Sequence, residues 1–169
     1  MGASTLVVVG DCQKYIDRMV EIAKGITLGK DLGPVIDDAA VERITRYITQ
    51  AEQMGAKVLV DGRGQKGADG GTWVGPTIID NVTPDMPAGC EEIFGPVLSI
   101  IHAPTLDEAL HIENKNPYGN AAAIFTSDGG SARYAIERFQ AGMCGVNIGV
   151  PVPREPFSFA GWNQSAFGH

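Results

Sequence analysis

Glu91-Glu92-Ile93-Phe94-Gly95-Pro96 runs directly into Val97-Leu98-Ser99-Ile100-Ile101. The second stretch is an apolar run of strand length and reads as a buried strand. The first follows a polar, turn-rich segment, residues 81–90, so two acids and an aromatic sit at the tight turn that delivers the strand. Loops held by a rigid sheet are where binding groups tend to be placed; the plainer alternative is a turn with solvated acids and a phenylalanine anchoring the loop to the core. Working outward, the strand lasts to about His102. Thr105-Leu106-Asp107-Glu108 has capping-box form and opens a helix with Leu106, Ala109 and Leu110 on its apolar face. Residues 114–120, with Pro117 and Gly119, break that helix. Ala121 to Thr126 is a second buried strand, Ala132, Ala135, Ile136 and Phe139 share one helical face, and Gly142 to Ile148 is the last clear strand. Strand, helix, strand, helix, strand implies right-handed βαβ crossovers and a mainly parallel, doubly wound α/β sheet. In such sheets ligands gather at the carboxyl ends of the strands.

Upstream, Thr5 to Val9 reads as a fully buried strand, and Asp11 as the N-cap of a helix bearing Tyr15, Ile16, Met19, Val20 and Ala23 at helical spacing. Lys24-Gly25 closes it with a cation and a glycine. A loop over residues 27–36 precedes a second helix, about Asp38 to Met54, with Val41, Ile44, Ile48 and Ala51 on its buried face. Lys57 to Val60 is a short strand, residues 61–71 an exposed hairpin-like loop, and residues 72–82 two short extended pieces divided at Gly75-Pro76. The tail from Gly149 to His169 is rich in Pro, Gly and Phe, with little periodicity. No repeat or linker is visible, so residues 1–169 read as one α/β domain.

The chain has 169 residues, 44% of them hydrophobic and 20% charged, which suits a soluble domain with a substantial core. The net charge of -7 argues against nucleic acid or an anionic membrane as a main partner. No apolar run approaches the ~20 residues needed to span a bilayer, and no signal peptide is visible. Cys12, Cys90 and Cys144 are odd in number and widely spaced, which fits a reducing compartment, the cytoplasm or the matrix of a eukaryotic mitochondrion.

His102, His111 and His169 are scattered, without the spacing of a metal site, so no metal is expected. Neither GxSxG nor a Walker pattern occurs. Gly62-Arg63-Gly64-Gln65-Lys66-Gly67 is glycine-rich, but no helix follows, as a dinucleotide loop requires. A cysteine nucleophile needs a lowered pKa or a base partner. Cys12 falls at a helix start, which favours the thiolate; Cys90 lies beside Glu91 and Glu92, whose charge disfavours it; Cys144 sits inside a strand. All three read as small structural residues. In the tail, Phe157, Phe159 and Trp162 are costly to leave in water unless they pack as an arm over the sheet or line a substrate entrance.

An ordered set of motifs then carries a resemblance: Asp31-Leu32-Gly33-Pro34-Val35-Ile36, Gly75-Pro76-Thr77, Glu91 to Val97, Asn116-Pro117-Tyr118-Gly119-Asn120 and Gly145-Val146-Asn147. Their order and spacing resemble the aldehyde dehydrogenase superfamily along nearly the whole chain. Asn147-Ile148-Gly149-Val150-Pro151-Val152-Pro153, with Phe157-Ser158-Phe159-Ala160-Gly161-Trp162 behind it, most resembles the methylmalonate-semialdehyde branch. That branch oxidises a semialdehyde with NAD and transfers the acyl group to coenzyme A through a cysteine thioester.

The resemblance implies a piece of the catalytic domain, C-terminal to both the Rossmann-type cofactor domain and the nucleophilic cysteine, which would fall upstream of Met1. The isolated chain is then expected to be inactive. Glu92 matches the glutamate that accepts hydrogen bonds from the nicotinamide ribose hydroxyls, and Phe94 the aromatic near the nicotinamide ring. Phe157 and Phe159 lie where the family builds its substrate tunnel. A homo-oligomer with a small-molecule semialdehyde substrate is expected. Two alternatives stay open: a fragment of a hydrolytic NAD(P)-dependent aldehyde dehydrogenase, and a non-catalytic α/β binding or scaffold module.

Overall fold

The computed structural model describes residues 2–67, 70–157, 159 and 161–165. Ser158 and Ala160, within the tail motif, and His169, among the three histidines, lie outside the described residues. The chain divides into two compact units: one is Ser4–His102, and the other comprises the residues from Ala103 onward together with those before Ser4. Strand and helix alternate across the divide with no linker, so the sequence shows no boundary there.

The first unit is built on a four-stranded sheet in the order β1-β4-β3-β2, formed by β1 (Thr5–Val9), β2 (Lys57–Val60), β3 (Thr77–Asp80) and β4 (Val97–Ala103). β3 and β4 are parallel, with Thr77 opposite Val97 and Ile79 opposite Ser99, whereas β2 and β3 are antiparallel. The α/β sheet is as expected, parallel between β3 and β4, with an antiparallel strand, β2, at its edge. The loop between β2 and β3 holds no helix, and a parallel pair needs a crossover long enough to bring the chain back. β3 is buried along its whole length. β1 is not: only Val8 is buried, because β1 is an edge strand. Residues 72–82 hold one strand rather than two extended pieces, since residues 72–76 have no strand pairing.

Helix α1 (Gln13–Lys24) places Ile16 against Val8, Val60, Ile78 and Ile100, with Met19, Val20 and Ala23 around them. Its N-cap is Cys12; Asp11 lies one position too early and accepts instead from the Gln13 N–H at 3.2 Å. Helix α2 (Asp38–Gln53) is capped by Asp37, which accepts from the Ala40 N–H, and buries Ala40, Ile44, Ile48 and Ala51. Gly62 and Gly75 meet backbone to backbone: the Gly75 N–H donates to the Gly62 carbonyl at 2.9 Å, and a Cβ on Gly62 would lie 1.9 Å from the Gly75 oxygen. Buried Thr77 secures the same crossing by accepting from the Gly62 N–H. α3 (Pro87–Cys90) is a single turn with proline at its start.

In the second unit, α4 (Leu106–Lys115) begins as expected, with Thr105 Oγ1 accepting from the Glu108 N–H. β6 (Ala121–Ile124), α5 (Gly129–Ile136) and β7 (Met143–Val146) make one βαβ unit with the strands parallel, Ala121 opposite Met143 and Ile124 opposite Val146. β6 and β7 are half-buried rather than buried: Ala122, Met143 and Gly145 turn inward, while Cys144 and Val146 do not. That alternation marks a sheet covered on one face. The tail contributes a further strand, β8 (Trp162–Asn163), paired antiparallel with β5 (Tyr118–Gly119).

Candidate functional site

The Glu91–Pro96 turn takes its shape from what holds its ends. At its start the Glu91 N–H donates to the Pro87 carbonyl, closing α3. At its end the Pro96 carbonyl accepts from the Thr77 N–H at 2.8 Å, which seats β4 beside β3. Between these points Ile93 is buried to 1% exposure and pins the turn. Phe94 does the opposite: it lies in the left-handed region with φ 53° and is 72% exposed. The phenylalanine is therefore no core anchor; Ile93 fills that role. Glu92 is exposed, and its carboxylate makes no hydrogen bond or ion pair among the described residues.

The turn is fixed from α2 at two further places. The Tyr47 hydroxyl donates to Glu91 Oε2, and that bond raises the tyrosine pKa above its ordinary value. Gly95 sits directly on Ile44, where a Cβ would come within 2.6 Å of the Ile44 side chain. Sequence reasoning missed Tyr47: it is 44 residues from its partner and lies at the margin of the buried stripe of its helix. The sole available signal is its spacing from Ile44, three positions back on the same helix.

This turn lies at the amino end of β4, next to the amino end of β3, not at the carboxyl ends where ligands of doubly wound sheets usually gather. A turn that precedes a strand can deliver its residues nowhere else. The carboxyl ends carry Asp80 and His102 instead, with Asp80 Oδ1 2.7 Å from His102 Nε2. Among the described residues no group of three metal-ligating side chains occurs.

The thiols are all free. Burial first, then the charges of Glu91 and Asp85, push the Cys90 thiol up. Burial and then Glu113 do the same to Cys144. Cys12 occupies the N-cap position of α1 without a side-chain capping bond, and its thiol donates to the Val9 carbonyl at 3.4 Å. In the second unit Phe157 and Phe159 are 75% and 64% exposed. Their rings do not pack as an arm, whereas Trp162, half exposed, lies on β8 opposite Gly119.

The aldehyde dehydrogenase family model matches residues 1–169. The chain belongs to the aldehyde dehydrogenase family. Among curated relatives of this family, malonate-semialdehyde dehydrogenase 1 of Geobacillus thermodenitrificans is 44% identical over 99% of this chain and 36% of its own length. The mitochondrial, acylating methylmalonate-semialdehyde/malonate-semialdehyde dehydrogenase of Homo sapiens is 46% identical over 99% of this chain and 33% of its own length. Among solved structures, a putative methylmalonate-semialdehyde dehydrogenase from Sinorhizobium meliloti 1021, complexed with NAD, superimposes with a TM-score of 0.94 at 41% identity over 98% of this chain and 36% of that one. Lactaldehyde dehydrogenase from Escherichia coli follows at 0.90 and 29%, over 98% of this chain and 36% of its own. This chain thus spans about a third of the length of the aldehyde dehydrogenases it matches.

Proposed function

We propose that this chain forms part of the catalytic domain of an NAD-dependent, coenzyme A-acylating semialdehyde dehydrogenase, with methylmalonate semialdehyde or malonate semialdehyde as substrate. The observation that carries the proposal is the Glu91–Pro96 turn, which offers an uncommitted carboxylate and an exposed aromatic ring two residues apart on a fixed backbone. Those two groups suit the ribose and the nicotinamide of a dinucleotide. A carboxylate accepts from two neighbouring hydroxyls at once, and a ring held outward by a left-handed backbone has apolar surface to give. When bound, NAD supplies the hydride acceptor. The chain's own contribution would be to orient: Glu92 would grip the ribose and Phe94 would pack by the ring. None of this chain's residues is assigned the nucleophile's role in this reading: the Cys90 and Cys144 thiols are both held away from the thiolate. The acylating, NAD-complexed and mitochondrial descriptions of the relatives support coenzyme A as acceptor, NAD as oxidant and a mitochondrial setting where the source is eukaryotic. Among the described residues no helix is long and apolar enough to cross a membrane.

The test is Glu92→Gln in the longer enzyme that carries this segment. An amide keeps one acceptor and loses the charge, so the KM for NAD should rise by about five- to thirtyfold, the equivalent of ~1–2 kcal/mol. Unchanged dependence of both kcat and KM on NAD overturns the ribose role.

A further inference from the structure

We infer that Tyr47 is a positioning residue for the cofactor-binding turn: through its hydrogen bond to Glu91 it fixes from α2 the backbone that presents Glu92 and Phe94. The inference rests on the reading of Glu92 and Phe94 given above and extends it to a residue on another element.

Glu91 and Glu92 are chemically alike and adjacent, yet the fold treats them differently. Glu91 is held by the Tyr47 hydroxyl, while Glu92 is left without a partner among the described residues. In extended backbone, adjacent side chains point to opposite sides, and Glu91 is extended, with φ -109° and ψ 156°. Holding Glu91 toward α2 therefore turns Glu92 away from it and leaves its carboxylate for a ligand. Three residues earlier on the same helix, Ile44 closes off the space over Gly95. The exposed pair Glu92-Phe94 is thus bracketed on one side by a hydrogen bond and on the other by a steric stop. Between the two, Ile93 is sunk in the core. The brackets matter because Phe94 occupies a backbone region that a bulky residue rarely adopts without external restraint.

Two readouts test the inference. In the 169-residue chain, Tyr47→Phe removes one hydroxyl from a half-buried ring, and amide hydrogen exchange at residues 92–95 and at Val97 should speed up about three- to tenfold, the effect of losing one side-chain hydrogen bond. In the longer enzyme, the same variant should raise the KM for NAD by a similar factor while the KM for coenzyme A holds. Glu91→Ala should copy Tyr47→Phe, and Glu91→Gln, which still accepts from the hydroxyl, should restore most of the loss. Combined with Glu92→Gln, Tyr47→Phe should add little, because both act through one contact. If Glu92→Gln weakens NAD dependence while Tyr47→Phe and Glu91→Ala leave exchange and KM untouched, Tyr47 is not a positioning residue. If Tyr47→Phe speeds exchange but Glu92→Gln leaves NAD dependence unchanged, the ribose role fails instead, and this inference falls with it.

Discussion

Ile93 and Phe94 are neighbours of similar hydropathy with opposite fates, one at 1% exposure and the other at 72%. A periodic pattern cannot separate them, because the turn has no period; the left-handed backbone at Phe94 makes the difference. The residue scale also yields a pH prediction. Arg63 donates to Asp61 through Nε and Nη2, to Glu52 through Nη2 and to Thr49 through Nη1, tying the loop after β2 back to α2. Its hydrogen bonds hold the Asp61 carboxyl below the ordinary value of 3.8. A depressed folded-state pKa contributes stability that is present above 3.8 and lost as pH falls through the lower folded value. Asp61→Asn should therefore be less stable than the natural chain at neutral pH, and the gap in melting temperature should shrink below about pH 4. The carboxylate is 44% exposed, so the gap is expected to be small. A gap that stays constant down to pH 2 would rule this contribution out. The turn that carries Glu91, Glu92 and Phe94 was legible from its motif and Arg63 as part of a glycine-rich loop. The α2 side chains that hold Glu91 and Arg63, Tyr47 and Glu52, were not, because contacts between distant segments leave no mark on local spacing.

At the scale of elements, helices were more legible than strands. Ile16, Ile44, Ile48, Leu110 and Ala135 are all buried where helical spacing puts them, since a helix carries its own period wherever it lies. An apolar strand announces itself without saying how many faces are covered. β3 is covered on both, β6 and β7 on one, and β1 lies at an edge. The antiparallel pairing of β2 with β3 agrees with the hairpin-like reading of residues 61–71. The junction of α2 with the Glu91–Pro96 turn yields the prediction that belongs here. Gly95→Ala places a methyl against Ile44, which is fully buried and has nowhere to move. Overpacking of this kind should cost about 1–3 kcal/mol, read as a lower urea midpoint with an unchanged slope. Full stability in Gly95→Ala would show that the turn yields easily and that Ile44 is no stop.

For the molecule as a whole we predict that the 169-residue chain generates no NADH from propanal or methylmalonate semialdehyde, since none of its thiols has the setting of an activated nucleophile. Turnover that survives repurification and is lost on replacing one cysteine would refute this. We also expect the chain to self-associate. β7 pairs with β6 alone among the described residues, because the tail's strand goes to β5 instead. Ile148, Phe157, Phe159 and Trp162 stay at least half exposed. Open strand edges and exposed apolar side chains recruit further chains, against the repulsion of a net charge of -7. Light scattering over a concentration series should show dimers or larger species, and a monodisperse monomer at the highest soluble concentration would contradict the expectation. The place of β1 in its sheet reaches further, into how the chain is made. The Ser99 N–H donates to the Ser4 carbonyl, so β1 reaches its partner strand only across α1, α2, β2 and β3. At a ribosomal rate of about 5–20 residues per second, β1 waits on the order of 5–20 s for β4 to be synthesised. For that interval Leu6-Val7-Val8-Val9 is an apolar segment without its β4 partner, a form in which a nascent chain is open to capture by a chaperone or by a neighbouring copy on the same message.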